Sequence, residues 1–152
     1  MKWTQTLFAA VSAAIFSAGL AFAESATPRV IKITGDDTMK FSVTQIEAKP
    51  GESLEVEFSN MGQVPKQAMG HNWVLLKQMN DKEIAAFAAS AMPKAPDYIP
   101  DDTSAIIAHT KTLGPKETDK VVFNAPTTPG EYPFICTFPG HYTLMHGKLV
   151  VK

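Results

Sequence analysis

The sequence predicts an all-β domain over residues 24–152, a Greek-key β-sandwich with one short helix in a flap. Three observations carry that prediction. Leu54, Val56 and Phe58 alternate with Glu55, Glu57 and Ser59, a period-two pattern with one buried face. Similar short runs recur along the chain, separated by Gly- and Pro-containing turns such as Lys49-Pro50-Gly51, Gly114-Pro115 and Pro129-Gly130. Helical spacing is found in one short stretch after residue 80.

In chain order, residues 1–23 stand apart. Lys2 precedes a run from Leu7 to Phe22 made of Ala, Val, Ile, Phe, Leu, Gly and Ser, and Ala21-Phe22-Ala23 has the small-x-small form of a cleavage site. An apolar run of about 16 residues is short for a bilayer span. The expectation is a cleaved secretory signal, with no membrane anchor and a mature chain beginning near Glu24. No arginine pair precedes the apolar run, and no cysteine follows Ala23 to take a lipid.

Residues 24–29 read as a lead, and Val30 to Ile33 as a first strand. Met39 to Ile46 is β-like, with Phe41, Val43 and Gln45 on one face against Ser42, Thr44 and Ile46. Residues 54–59 form the clearest strand, and Asn60 to Gly70 reads as a loop through Gly62 and Pro65. Asn72 to Leu76 is a largely apolar strand. Asn80 with Glu83 three residues on has capping-box spacing, so a helix is expected over 81–91, ended by Met92-Pro93. Pro93, Pro96 and Pro100 make the following stretch an irregular flap. Ile106 to Thr110, Thr118 to Asn124, Glu131 to Cys136 and Gly147 to Lys152 supply the remaining strands.

Charge excludes more than it suggests. Fifteen acidic residues face fourteen basic ones, with no run of either sign, so nucleic acid and anionic membranes are poor partners. Cysteine usage is sharper. Cys136 is the only cysteine, so the domain is stabilised without an internal disulfide. Alone, it would read as a buried, inert thiol.

Its neighbours change that reading. Cys136-Thr-Phe-Pro-Gly-His141-Tyr-Thr-Leu-Met145 lies between two expected strands, and His71 follows Gly70 at the mouth of another. His71, His141 and Met145 would each be unremarkable alone. Together, at loop positions of one β-rich chain, they form a His-Cys-His set with a thioether nearby. Thiolate and thioether favour copper, and imidazole suits both Cu(I) and Cu(II). The expected cofactor is one copper ion held by His71, Cys136 and His141, with Met145 as a weak axial ligand. Zinc is the inorganic competitor, since Cys and two His are ordinary zinc ligands, but it gains little from a thioether. His109, in an expected strand, reads as structural, and His146 as solvent-facing.

These segments resemble the azurins of the cupredoxin family. Met69-Gly-His71-Asn-Trp73-Val-Leu is similar to the azurin segment bearing the first ligand, and Cys136-Thr-Phe-Pro-Gly-His141 with Met145 has the azurin loop spacing. Asp101-Asp102 and Ile107-Ala-His109-Thr-Lys111 extend the likeness over essentially the whole mature chain. The resemblance implies a periplasmic electron carrier, not an enzyme and expected to be monomeric. Its redox partners would be c-type cytochromes, nitrite reductase or dehydrogenases docking transiently near His141. It implies a further weak contact from the Gly70 backbone carbonyl, a brace from Asn72, tuning by the Phe138 N–H and an apolar patch of Met69, Phe138 and Pro139 around His141. Trp73 matches the azurin core tryptophan. Two departures stand out. Gly51 and the Val30 region lie where azurins carry a disulfide, and Asn60 stands where many carry a titrating histidine. A periplasmic copper-binding or delivery protein is the other function class, since it would use the same ligand types.

Overall fold

The computed structural model describes residues 27–152; the expected signal over 1–23 lies outside the described residues. Among the described residues, eight strands form two sheets. Strands β1 (Arg29–Gly35), β3 (Ser53–Asn60) and β6 (Thr118–Asn124) make one, in the order β1-β3-β6. The second runs β2-β8-β7-β4-β5, from β2 (Gln45–Ala48), β8 (His146–Val151), β7 (Gly130–Ile135), β4 (Val74–Leu76) and β5 (Ile106–His109). β1 pairs parallel to β3 and β2 parallel to β8; the other pairings are antiparallel. The result is the expected two-sheet sandwich.

The inward faces follow the sequence pattern. Leu54, Val56 and Phe58 on β3 are fully buried and meet Ile33, Trp73, Phe123, Phe134 and Leu149 in the main core. Phe41 packs edge-on to Phe58 and Phe134, with ring centroids 5.7 and 5.6 Å apart. A second core lies on the other face of the five-stranded sheet, where helix α2 (Asp81–Ala91) lays Phe87 and Ala88 on Val74, Leu76 and Ile135. The α2 N-terminus is closed by the expected capping box. Asn80 Oδ1 accepts from the Glu83 N–H at 3.1 Å, and Glu83 Oε2 accepts from the Asn80 N–H at 2.8 Å.

Three local expectations need correction. The stretch 39–46 is not one strand: Phe41 makes only an isolated bridge to Gly35, and β2 begins at Gln45. The inward alternation of Phe41 and Val43 loses phase between Val43 and Ile46, so Ile46, not Gln45, turns inward. The segment 60–70 is not all loop, because Lys66–Met69 forms a single helical turn, α1. Phe138, expected in an exposed patch, is only 7 % exposed, while Met69 and Pro139 are half-buried.

Near Val30 and Gly51, where the resemblance implies a disulfide in relatives, Arg29 donates to Glu52 Oε1 at 2.6 Å and to the Glu47 carbonyl at 2.7 Å, joining β1, β2 and the turn at 49–52. The pair is solvent-exposed, with Arg29 at 48 %, so it is worth about 0–1 kcal/mol, against about 2–4 kcal/mol for a typical disulfide. The ion pair joins the same ends at lower strength.

Candidate metal centre

The site is assembled at one pole of the sandwich by backbone pairing. His71 precedes β4 and is locked to Leu113 by two hydrogen bonds. Its N–H donates to the Leu113 carbonyl at 3.1 Å, and the Leu113 N–H donates back at 2.7 Å. Cys136 follows the last residue of β7, and the loop 136–145 closes on itself. The Cys136 N–H donates to the Met145 carbonyl at 2.9 Å, Met145 N–H to the His141 carbonyl at 2.8 Å, and His141 N–H to the Phe138 carbonyl at 3.0 Å. Gly140 supplies the left-handed turn, φ 81°, that Pro139-Gly140 makes possible. Three chemically distinct side chains are therefore placed by one hydrogen-bonded loop.

Their donor atoms converge. The Nδ1 atoms of His71 and His141 lie 3.2 Å apart, and Cys136 Sγ lies 3.9 and 3.6 Å from them. A point equidistant from all three sits about 2.1 Å from each, the length of a metal–imidazole bond and slightly short of a metal–thiolate one. A proton can bridge one edge of this triangle, whereas a metal ion bonds all three corners. Among the described residues, His71, Cys136 and His141 form a buried cluster of metal-binding type. No acidic side chain belongs to it, which suits a soft or borderline cation over a hard one.

Met145 is fully buried beside this triangle, and Gly35 makes room for it. A Cβ at Gly35 would overlap Met145 Cε and approach the Phe58 ring at 3.2 Å. Gly35→Ala is therefore expected to move the thioether while leaving the fold intact, since the obstructed atom ends a flexible side chain. The checking measurement is the EPR spectrum of the Cu(II) form, where rhombicity should change; an unchanged spectrum would mean Met145 has no axial influence. Gly70 is constrained by close approach: a Cβ there would lie 2.8 Å from the Lys66 carbonyl oxygen and 2.8 Å from Thr112 Cγ2.

Burial dominates the electrostatics. It pushes the Cys136 thiol up to about 12, with the nearby backbones of Asn72 and Phe138 pulling weakly the other way. It lowers His141 to about 4, with His71 adding repulsion, and lowers His71 as well. The other His71 nitrogen, Nε2, is buried without a hydrogen bond of ordinary geometry, though the Asp36 carbonyl is near enough to favour a proton on the ring. A proton at Nε2 leaves Nδ1 its lone pair for a metal.

These shifts fix the pH behaviour of the metal-free protein. The folded pKa of His141 lies below the unfolded value, so as pH falls from about 6.5 to 4 only the unfolded chain gains that proton, and stability drops. Cys136 is raised, so above about pH 8.5 only the unfolded chain loses the thiol proton, and stability drops again. Denaturation of metal-free protein should show a plateau between those limits, with a loss of about 3 kcal/mol by pH 4 from His141. A flat profile across pH 4–7 would refute the burial of a neutral His141.

Around Cys136 lies a polar network that the sequence only partly disclosed. Asn72, fully buried, accepts from the Thr137 N–H at 2.8 Å through Oδ1 and donates to Thr137 Oγ1 at 2.7 Å through Nδ2. The expected brace is present, and the Phe138 backbone acts to lower the Cys136 thiol. Sequence reading missed Thr137, Thr112, Gly35 and Tyr98, because their roles arise from contacts across loops with no motif of their own. Tyr98 packs edge-on to Phe138 at 4.9 Å, and Phe138 lies 4.6 Å from the His141 ring. His109 and His146 do not join the cluster. Both are exposed, His146 as expected, while His109 has Nδ1 3.1 Å from the Thr110 carbonyl.

Comparison with known proteins points the same way. Residues 29–152 match the model for copper binding proteins of the plastocyanin/azurin family. Azurin from Pseudomonas aeruginosa is 40 % identical over 126 residues, which is 80 % of this chain and 84 % of that one. The solved structure of auracyanin A, a blue copper protein from the green thermophilic photosynthetic bacterium Chloroflexus aurantiacus, superposes with a TM-score of 0.75 at 36 % identity. It covers 83 % of this chain and 100 % of the other. An azurin from the methylotroph Methylomonas sp. strain J gives a TM-score of 0.72 at 26 % identity, covering 83 % and 99 %.

Proposed function

The chain belongs to the plastocyanin/azurin family of copper-binding proteins, and from that premise we propose that it carries single electrons between redox proteins in the periplasm. The observation that carries this reading is the convergence of His71 Nδ1, His141 Nδ1 and Cys136 Sγ beside a fully buried Met145. His71, Cys136 and His141 would hold the copper ion, with the Met145 thioether and the Gly70 carbonyl as weaker contacts. When bound, copper supplies one-electron exchange between Cu(II) and Cu(I).

The protein's part is to hold and to exclude. Donor residues at 0–4 % exposure leave no room for a substrate to touch the site, which favours a carrier over an enzyme. The closed backbone ring of the loop holds the donors in one arrangement, so little has to move when charge changes. His141, with 4 % of its surface open and Met69 and Pro139 half-buried nearby, is the point of closest approach. A c-type cytochrome, nitrite reductase or dehydrogenase would dock there briefly, and the chain would act as a monomer. No helix among the described residues is long and apolar enough to cross a membrane; periplasmic export rests on the leader over 1–23.

Copper delivery is the alternative, and buried, cross-braced ligands weigh against it. Stopped-flow mixing of the Cu(I) protein with an oxidised c-type cytochrome tests the choice. Rapid second-order oxidation with copper retained supports the carrier; slow electron transfer with copper surrendered to a mild chelator supports delivery.

Asn60 bears on the same reaction. It is 1 % exposed, donates through Nδ2 to the Leu113 carbonyl at 3.0 Å and accepts from the Gly62 N–H at 2.8 Å. An amide offers no proton to exchange, so the reduction potential should be nearly flat across neutral pH. Voltammetry showing a full histidine-type transition would contradict this.

A further inference from the structure

The flap between α2 and β5 reaches Thr137, the residue next to Cys136, through a chain of hydrogen bonds. Asn72 Nδ2 has two protons. One goes to Thr137 Oγ1 at 2.7 Å, and the other is shared between Thr112 Oγ1 and the Asp97 carbonyl, both at 3.3 Å. With both hydroxyl oxygens accepting, their own protons must point onward. Thr137 donates to the Tyr98 carbonyl at 2.6 Å and Thr112 to the Asp97 carbonyl at 2.7 Å. The direction of every bond is thereby fixed, from the amide outward to two successive flap carbonyls. Thr112 and Thr137 are each 1 % exposed and Asn72 is fully buried, so no water replaces a lost acceptor cheaply.

Tyr98 occupies an unusual backbone position. Its φ is 53°, a left-handed conformation that bulky residues avoid. A tight turn holds it, with the Tyr98 N–H donating to the Lys94 carbonyl at 2.8 Å. Its ring meanwhile buttresses Phe138, two residues past Cys136 in the ligand loop. The flap touches the thiolate's surroundings twice, once through hydrogen bonds and once through an aromatic contact. Strained residues persist where the surrounding structure over-determines them.

We propose that this flap is a latch on the thiolate: the Asp97 and Tyr98 carbonyls terminate the network that fixes Asn72 and Thr137, and the Tyr98 ring fixes Phe138. Thr112 and Tyr98 are thus positioning residues for the electron-transfer site, acting on Cys136 without touching copper. The inference rests on the copper reading above and goes beyond it. N–H donation to a thiolate withdraws electron density and favours Cu(I), so loosening the latch lowers the reduction potential.

Thr112→Val tests this directly, because valine keeps the methyl against Gly70 and loses only the hydroxyl. In metal-free protein, hydrogen exchange at the Tyr98, Thr137 and Phe138 amides should accelerate at least tenfold, while amides of β3 and β6 stay protected. In the Cu(II) form, the thiolate absorption should shift and the potential should fall by up to about 59 mV, a tenfold change in a one-electron equilibrium. Thr112→Ser should restore both. Tyr98→Gly, which relieves the backbone and removes the buttress, should give the same sign through Phe138 and serves if the valine variant does not fold. Unchanged exchange and potential in a folded, blue Thr112→Val protein would overturn the latch. A wild-type protein that is not blue would instead overturn the copper reading.

Discussion

Replacing Cys136 with serine is expected to abolish the visible absorption of the Cu(II) protein outright. The band arises from charge transfer out of a thiolate, and no other sulfur anion exists in the chain, whose single cysteine this is. A serine hydroxyl is harder, shorter and protonated at neutral pH, so it does not replace the thiolate. Copper affinity should fall by well over about 100-fold, more than the loss of an outer-shell partner costs. Fold is expected to survive. Cys136 lies within the main core cluster, but serine differs from it by one smaller atom, so the surrounding packing is kept. Absorption and far-ultraviolet circular dichroism on the same sample separate the outcomes. Retained absorption would place the chromophore somewhere other than Cys136.

Asn72→Leu should have the largest effect on stability among changes near the site. Leucine matches the branched shape of asparagine, is bulkier, and makes none of its bonds. The Thr137 N–H loses its acceptor, while both threonine hydroxyls lose a donor. With each buried orphan costing about 1–3 kcal/mol, a loss of roughly 3–5 kcal/mol is expected. For a domain of this size that is a large part of total stability. Urea denaturation of metal-free protein gives the number directly. In the loaded protein, release of copper to a chelator should quicken by about 10–100-fold. A stability change below about 1 kcal/mol would show that the network contributes little.

Much of this was legible in the sequence, for identifiable reasons. The strand at 53–60 and the helix at 81–91 carry local signals, alternation in one and a capping box in the other, that tertiary packing reinforces. The donor set was legible because its residue types are rare together and three of them share one short loop. The stretch 39–46 misled because its alternation spans a break between Val43 and Ile46, after which the opposite parity faces inward as β2 begins. Gly35 and Thr112 were invisible for a different reason. Each acts by what it touches across the fold, Gly35 by lacking a side chain beside Met145 and Thr112 by handing a proton to Asp97. No spacing rule encodes such contacts. The flap itself was legible as irregular, from its prolines, but not as the far end of the thiolate's hydrogen-bond network.

The most direct test of the site is the EPR and visible spectrum of protein reconstituted with one equivalent of Cu(II). A short, equatorial thiolate between two imidazoles predicts an intense blue colour and a narrow parallel hyperfine splitting, because unpaired spin is shared with sulfur. A colourless protein with the wide splitting of an ordinary nitrogen- and oxygen-bound Cu(II) would contradict a centre built on His71, Cys136 and His141.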